Sequence, residues 1–398
     1  MLGSVKTNNK KIDFKMKIGI LTLIGEYNYG NLLQSYALQV ILQRLGYESI
    51  TLNRRSKSPT IKLRIIRIIS FVKSLILRYV FRNKGRLIVN PFVENYSPKT
   101  FSDKTELKRF IKEYIKRTKP LRSEDAMRIY AENNHFDAII VGSDQVWREE
   151  CVYSIEEMFL SFLPNNGCEK KVAYAASFGT DKDYITQEKI PVCVDLIKRF
   201  DAISVREKSA VKICDERFEV KAEHVLDPTM LLSSEDYKNL FNKRSIPPSD
   251  GNLLMYILDN SNEIKKTINV LSAQYNLTPF SVNLTKLYNN KSYNYIYPLI
   301  ESWLKGFNDA KYVITDSFHG TVFSIIFNKP FICLGNEGRG SARFDSLLGL
   351  FGLENRLIDD YSKIEEVINT PIDWKLVNSI LEEKRKNSLS FIENALNN

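Results

Sequence analysis

Short apolar runs alternate along the chain with segments of helical periodicity. Residues 17–23 form a continuous apolar run, and residues 31–45 then carry apolar side chains at helical spacing up to Gly46. A second apolar run follows at 47–52. A buried strand, a helix and another strand in this order predict a βαβ unit with parallel strands.

The same alternation extends over the rest of the chain. Further strands of the first half are predicted at 137–142, 171–176, 202–205 and 223–226. Strands of the second half are predicted at 252–258, 277–283, 311–315 and 330–334, with helices around 261–274, 296–309 and 320–328. Asp227-Pro228 and the polar stretch up to Gly251 separate the two halves. The pattern therefore predicts an α/β protein with two Rossmann-like domains.

The predicted organisation has four parts. Residues 1–15 are polar and are expected to form a loose leader rather than a signal peptide. The N-terminal domain is predicted over 16–228 and the C-terminal domain over 229–372. Residues 373–398 have the spacing of a terminal helix that packs on a neighbouring domain.

Positive charge is concentrated in one segment of the N-terminal domain. The net charge is +10, from 57 basic and 47 acidic residues. Residues 49–93 contain eleven basic residues and no acidic one, and subtracting these eleven leaves −1 for the rest of the chain. A field this concentrated attracts an anionic surface.

Within this basic segment (54–86), residues 60–82 have the pattern of an amphipathic helix. At about 100° per residue, an apolar arc lies opposite four arginines and is interrupted by Lys62 and Lys73. The arginines are Arg64, Arg67, Arg78 and Arg82. Basic amphipathic helices bind anionic membranes. The alternatives are a helix whose apolar arc packs on the core, and a nucleic-acid contact, which no helix-turn-helix or finger sequence supports.

Composition excludes several classes of protein. Five scattered cysteines without a CxxC pair argue against a disulfide framework and favour a reducing compartment. Three histidines, none at metal-binding spacing, argue against a transition-metal site. No run of about 18 apolar residues is present, so we expect no membrane-spanning helix. Neither GxGxxG nor a Walker loop occurs, so a standard nucleotide fingerprint is not the basis of the site.

Polar residues follow the predicted strands of the N-terminal domain, where ligands bind in open parallel sheets. The first strand-to-helix loop and the helix after it supply Asn28, Gly30, Asn31 and Gln34. The loop after 137–142 supplies Ser143, Asp144, Gln145 and Trp147, and the next one supplies Ser177. An exposed indole beside amide and carboxylate groups is typical of a carbohydrate site. The alternative is a helix start with Trp147 in the core.

The C-terminal domain offers a candidate acid and a candidate anion site. Asp316, Ser317 and His319 occupy a strand-to-helix turn, where an imidazole is suited to act as a general acid. The glycine-rich stretch GNEGRGSAR follows the strand at 330–334 and is suited to cradle an anion. Its candidate donor-binding residues are Asn336, Arg339 and Arg343. In the first domain, Arg206 ends a strand and is suited to bind a carboxylate or phosphate.

Six motifs follow one another along the chain. They are NYGNLLQSYAL, GSDQVW, ASFG, VRE, TDSFHG and the stretch from NKP to SARFDSLLGLFGL. In this order they resemble the motifs of the polysaccharide pyruvyl transferase family. The resemblance runs from about Lys17 to Leu357. It implies a GT-B fold, in which two Rossmann-like domains face each other across a cleft. It also implies phosphoenolpyruvate as co-substrate, no cofactor or metal, and a sugar acceptor, often lipid-linked, of a capsule, exopolysaccharide or other surface polysaccharide.

The resemblance further implies roles for individual residues. The donor-site arginine of the family falls on Arg206, the active-site histidine on His319 and a later cationic residue on Arg343. Several members carry arginine where this chain has Ser317, which is retained as a candidate donor-binding residue, so that the phosphate contact of that arginine is either missing here or supplied by Arg339 or Arg343. We assign the proton donation to His319, the donor carboxylate to Arg206 and the donor phosphate to Arg343. Asp144 or Asp316 would polarise an acceptor hydroxyl.

Two other functions are consistent with the same sequence. One is a nucleotide-sugar glycosyltransferase of GT-B shape, and the other is a non-catalytic protein of this fold that binds a membrane surface. For the transferase, we expect a cytoplasmic protein held at the inner face of the membrane by its basic helix, without a nucleic-acid partner. The sequence leaves the oligomeric state open.

Overall fold

The structure of the protein is a computed structural model. It describes residues 14–23, 28–57, 60–82, 88, 91, 100–165, 167, 169–182, 184–259, 264, 268–269, 272–283, 285–289, 292–335, 342–359 and 363–397.

The first half of the chain builds a six-stranded parallel sheet with strand order β2-β1-β4-β5-β6-β7. Its strands are β1 (Lys17–Leu21), β2 (Glu48–Thr51), β4 (Ala138–Val141), β5 (Lys170–Ala176), β6 (Ala202–Val205) and β7 (Glu223–His224). The central strands β1, β4 and β5 are buried almost throughout. This explains why they occur as continuous apolar runs, since helices cover both faces of a parallel sheet.

The second half builds a five-stranded parallel sheet with strand order β14-β13-β12-β8-β9. Its strands are β8 (Leu253–Tyr256), β9 (Pro279–Phe280), β12 (Tyr312–Thr315), β13 (Phe331–Leu334) and β14 (Leu357–Ile358). The predicted α/β class with two parallel sheets is confirmed. The domain limits at 228 and 372 stay predictions, although the two sheets fall on either side of residue 228.

A small third sheet joins the two halves. Strands β10 (Thr285–Asn289) and β11 (Ser292–Ile296) form an antiparallel pair, and β3 (Thr100–Asp103), from the first half, pairs with β11 in parallel. The hydrophobic pattern did not predict these three strands or β14.

The helices described at full length number thirteen. They are α1 (Tyr29–Arg44), α2 (Ile61–Tyr79), α3 (Thr105–Tyr114), α4 (Glu124–Asn134), α5 (Ile155–Met158), α6 (Ile190–Ile197), α7 (Lys208–Phe218), α8 (Ser234–Asn242), α9 (Ile300–Asp309), α10 (Phe318–Ile326), α11 (Ala342–Phe351), α12 (Ile364–Asn369) and α13 (Trp374–Asn397). None of the described helices is long and apolar enough to cross a bilayer.

Two contacts hold the halves together close to the candidate site. The Tyr29 ring at the start of α1 stacks on Trp303 of α9 with 5.7 Å between ring centroids, and its hydroxyl donates to the Pro298 carbonyl oxygen at 3.0 Å. The terminal helix α13 returns to the first half, where Ser388 Oγ accepts from the Leu226 amide at 3.0 Å. The prediction that the terminal helix packs on a neighbouring domain is therefore confirmed.

Helix α2 contradicts the alternative in which its apolar arc packs on the core. Its large apolar side chains are mostly exposed, Ile61 by 76% and Ile69 by 60%, whereas Ser74 is buried. No other described helix or strand packs along its length. The periodicity located the helix correctly but did not reveal which side faces the protein.

Candidate functional site

The candidate site lies where the first helix of one half meets a helix start of the other. Gly30 belongs to the first turn of α1, after the carboxyl end of β1, and His319 belongs to the first turn of α10, after β12. A Cβ atom built on Gly30 would lie 2.1 Å from His319 Nδ1. Only glycine therefore allows the imidazole to pack against the start of α1. Two helix N-termini that meet in this way favour a bound anion.

A buried arginine at the end of β6 organises the site. Arg206 donates from Nη1 to Asp227 Oδ2 at 2.9 Å and from Nη2 to Asp144 Oδ1 at 3.0 Å. Its guanidinium Cζ lies 4.7 Å from the centroid of the Phe318 ring. Burial lowers the pKa of Arg206, but Asp144, Asp227 and Glu207 raise it further than burial lowers it. The side chain is 1% exposed, and Nε has no hydrogen-bond partner among the described residues.

Asp144 is fixed by three donors and a special backbone conformation. Its φ of 81° lies in the left-handed region, which is uncommon for a residue with a side chain. Besides Arg206, the carboxylate accepts from Asn31 Nδ2 at 2.8 Å and from the Gln145 amide at 2.9 Å. Burial raises its pKa, but the charges of Arg206 and His319 bring the pKa well below the usual range. Asp144 is therefore ionised at neutral pH.

Asp227, which the sequence analysis placed in a domain boundary, is the second carboxylate of the site. It accepts from Ser143 Oγ at 2.9 Å, and from the Thr229 amide and hydroxyl at 3.0 and 2.7 Å, in addition to Arg206. Its Oδ2 lies 3.9 Å from His319 Nε2. Burial raises its pKa, whereas the charges of His319 and Arg206 lower it to a net value below normal.

His319 stands between the two halves. Its side chain is largely buried, and Nε2 has no hydrogen-bond partner among the described residues. Burial lowers the pKa of His319 below its ordinary value of 6.5, although Asp227 and Asp144 oppose this effect. A buried imidazole nitrogen beside a carboxylate, at the junction of two domains, is placed to exchange a proton with a bound molecule.

Arg343 and Glu207 complete the described part of the site. Arg343, in the first turn of α11, brings its Cζ to 5.8 Å from the Phe318 ring centroid, so both arginines contact the same ring. Burial and the charge of Arg206 lower the pKa of Arg343 to about 10. Burial raises the pKa of Glu207, whose Oε1 accepts from Ser177 Oγ and from the Phe178 and Gly179 amides.

The prediction of an exposed Trp147 is wrong. The indole is fully buried, stacks on Phe159 with 5.3 Å between ring centroids and donates from Nε1 to the Met158 carbonyl oxygen at 3.4 Å. It therefore belongs to the core of the first half and offers no face to a sugar.

Several other predicted site residues make contacts that stabilise loops and helix ends of the protein. Both oxygens of Asp316 accept backbone amides, from Leu258 and Asp259 at 2.8 Å each, so that Asp316 fixes the loop after β8. Gln34 is buried and donates to Thr22 Oγ1 and the Asn31 carbonyl oxygen. Two further predicted site residues cap helices: Asn28 caps the start of α1, and Ser317 caps the start of α10.

The structure thus brings together only some of the predicted residues. Those that meet are Gly30, Asn31, Ser143, Asp144, Arg206, His319 and Arg343. Ser177 and Gln145 lie at its edge, in and beside the loop held by Glu207. Asn336 and Arg339 lie outside the described residues. Within the described part of the chain, no group of three or more histidine, cysteine or acidic side chains is arranged to hold a metal ion.

Comparison with known proteins identifies both a family and a fold. Residues 28–338 match the family model of the polysaccharide pyruvyl transferases. The sequence matches no curated protein. Similar solved structures include UDP-GlcNAc 2-epimerase from Neisseria meningitidis, with a TM-score of 0.50 at 11% identity over 96% of this chain and 99% of that one. UDP-GlcNAc 2-epimerase from Methanocaldococcus jannaschii also has a TM-score of 0.50, at 12% identity over 91% and 95% of the two chains. At such identities the likeness establishes the GT-B fold alone.

Proposed function

The chain belongs to the polysaccharide pyruvyl transferase family, and on this premise we propose that it transfers pyruvate from phosphoenolpyruvate to two hydroxyls of one sugar. The product would be a cyclic pyruvate ketal on a surface-polysaccharide precursor, and the other product would be inorganic phosphate. The observation that carries this proposal is the position of His319. Its imidazole stands at the junction of the two halves, beside the Arg206 and Asp227 pair.

The reaction needs one proton donor and a stable environment for anions. The methylene carbon of phosphoenolpyruvate takes a proton and becomes a methyl group, and a sugar hydroxyl oxygen then bonds to the neighbouring carbon. The bond from that carbon to the phosphate oxygen breaks, and the second hydroxyl oxygen closes the ring. Of the two hydroxyl protons released, one replaces the proton given to the methyl group and the other leaves with phosphate.

We assign the proton donation to His319. In the free protein, burial keeps its pKa low and the imidazole neutral at neutral pH. A donor with several negative charges would raise that pKa, because a nearby opposite charge favours the charged form. Asp227 would hold the protonated ring from 3.9 Å. Binding of the donor would thus favour the protonated His319 that then donates the proton.

Arg343 is our candidate for direct contact with the donor. Arg206 is held by Asp144 and Asp227, whereas Arg343 has its pKa lowered, mainly by burial and then by Arg206. An incoming anion would relieve the repulsion between the two guanidinium groups. Arg339, outside the described residues, is a second candidate for the phosphate. Asp144 remains the candidate to polarise an acceptor hydroxyl, while the contacts of Asp316 favour a supporting role.

The acceptor is proposed as a sugar of a polysaccharide precursor, free or lipid-linked. A panel of galactosides and other hexosides incubated with phosphoenolpyruvate should release phosphate with at least one acceptor. The His319→Ala variant should lower kcat by about 10² to 10⁴, as removal of a general acid does. Phosphate release that does not depend on His319, or transfer from UDP-sugars instead, would contradict the proposal.

A further inference from the structure

Helix α2 presents an apolar face that no described part of the chain covers. Its 19 residues begin at Ile61, capped by Thr60, and end at Tyr79. Seven exposed apolar side chains lie within an arc of about 100°. They are Ile61, Ile65, Ile68, Ile69, Val72, Ile76 and Tyr79. A surface helix normally turns such an arc toward the core, whereas α2 turns it toward the solvent.

The side of α2 that faces the protein has polar residues at its centre and half-buried Phe71, Leu75 and Leu77 at its edges. Ser74 is the buried residue of this helix, and Arg67, Ser70 and Arg78, on the same side, are half-buried. Ser74 Oγ donates to the Ser70 carbonyl oxygen at 2.8 Å. The apolar arc therefore points away from the body of the protein and is available to an external partner.

Basic side chains border the apolar arc on both edges. Lys62 and Lys73 lie along one edge and Arg64 lies along the other, and all three are exposed. The lysines thus border the arc rather than interrupt it. Arg67 and Arg78 turn inward, and Arg82 lies beyond the end of the helix with a φ of 48°. The prediction that all four arginines lie opposite the apolar arc therefore holds for Arg67 and Arg78, whereas Arg64 lies on the edge of the arc.

We propose that α2 lies in the plane of an anionic phospholipid surface. Its apolar arc would enter the boundary between head groups and acyl chains, and the three bordering cations would extend to the phosphates. The charge pattern selects this partner, because residues 49–93 contain eleven basic residues and no acidic one. A second copy docked face to face would bring like charges together, and a nucleic acid would leave the arc exposed to water. The inference does not depend on the proposed reaction.

Sedimentation of the full chain with vesicles tests the electrostatic half of the proposal. The protein should bind vesicles of phosphatidylglycerol and phosphatidylcholine in equal parts, and bind pure phosphatidylcholine weakly. Arg64→Gln should weaken binding about fivefold, and adding Lys62→Gln and Lys73→Gln should bring the loss to about a hundredfold. Arg67→Gln is the matched control, one helical turn away and turned inward, and should change binding less than twofold.

A fluorescence measurement tests the apolar half. Trp147 and Trp303 are buried and Trp374 is half-buried, so the difference in emission between the Ile69→Trp variant and the parent chain isolates the indole introduced on the arc. Its emission should shift to the blue on addition of the anionic vesicles. Ile65→Asp with Val72→Asp should abolish vesicle binding without changing the circular dichroism spectrum or the denaturation midpoint, which shows that this variant is folded.

Four results would overturn the proposal. The first is an unchanged emission of the Ile69→Trp variant on addition of vesicles, and the second is an equal loss of binding in Arg64→Gln and folded Arg67→Gln. The third is vesicle binding that persists in the double variant Ile65→Asp with Val72→Asp. The fourth is a dimer in solution that this double variant dissociates. The last result would assign the arc to a second copy. Loss of enzymatic activity alone would leave the vesicle measurements intact, so the two proposals fail separately.

Discussion

Replacing Gly30 with alanine tests whether the position of the His319 imidazole controls turnover. The new Cβ would lie 2.1 Å from Nδ1 and 2.2 Å from Cγ of His319, far inside ordinary van der Waals contact, which begins at 3.4 Å. The ring must therefore move by about 1 Å, and a displacement of that size at a reacting group lowers the rate about 10²-fold. We expect kcat for phosphate release to fall by that factor.

The fold should survive this substitution. Gly30 lies in α1, where alanine is favoured over glycine by up to about 1 kcal/mol. Overpacking against the imidazole costs about 1 to 3 kcal/mol, so the free energy of unfolding should fall by no more than about 3 kcal/mol. Gly349→Ala in α11 is the matched control, because the nearest atom there is Glu354 Oε1 at 3.5 Å. The control should retain full activity.

A double-mutant cycle separates the imidazole from other consequences of the change. In the His319→Ala background the obstructing ring is absent, so Gly30→Ala should have little further effect on kcat. Full activity of Gly30→Ala, or a fall in kcat by the same factor in both backgrounds, would show that the position of the imidazole does not control turnover. The second result would mean that the alanine acts through α1 itself.

Three further predictions concern the charges of the site. In NMR titrations, with the histidine signals assigned from His135→Gln and His224→Gln variants, the pKa of His319 should lie below 6.5 in the free protein, because burial lowers it. Phosphoenolpyruvate should raise this pKa, because a nearby anion favours the charged imidazole. An unchanged or lower pKa with the donor bound would contradict this prediction. Asp227→Asn should lower the free energy of unfolding by about 3 kcal/mol, because it removes one partner of buried Arg206; equal denaturation midpoints would disprove it. Turnover should persist in excess EDTA, because arginines neutralise the donor; loss of activity restored by Mg²⁺ would be inconsistent with that view.

The sequence was sufficient for most of the fold because buried parallel strands form continuous apolar runs. Strand β6, at Ala202–Val205, coincides with its prediction. Strands β10 and β11 were missed because their sequences, TKLYN and SYNYI, mix polar and aromatic residues without an apolar run. Strand β14 contains two residues, which is too short for any periodicity.

The site was predictable in position but only partly in its members. Arg206, Asp144 and His319 follow strand ends, and the topology brings such ends together. Trp147 was misplaced because its polar neighbours in the sequence indicate an exposed loop, whereas its partner in the core, Phe159, lies twelve residues further along the chain. Asp227 was missed because it follows the two-residue strand β7 and precedes a proline, which together have the pattern of a linker.

The central claim is that the chain forms a pyruvate ketal by protonating phosphoenolpyruvate, and a reaction in D₂O tests it most directly. Mass spectrometry and NMR of the product should show the acceptor heavier by pyruvate minus water, with one solvent deuterium in the ketal methyl group, and His319→Ala should form this product far more slowly. An acceptor that carries an unsaturated enolpyruvyl ether, or a sugar delivered from UDP-sugar in its place, would contradict the account.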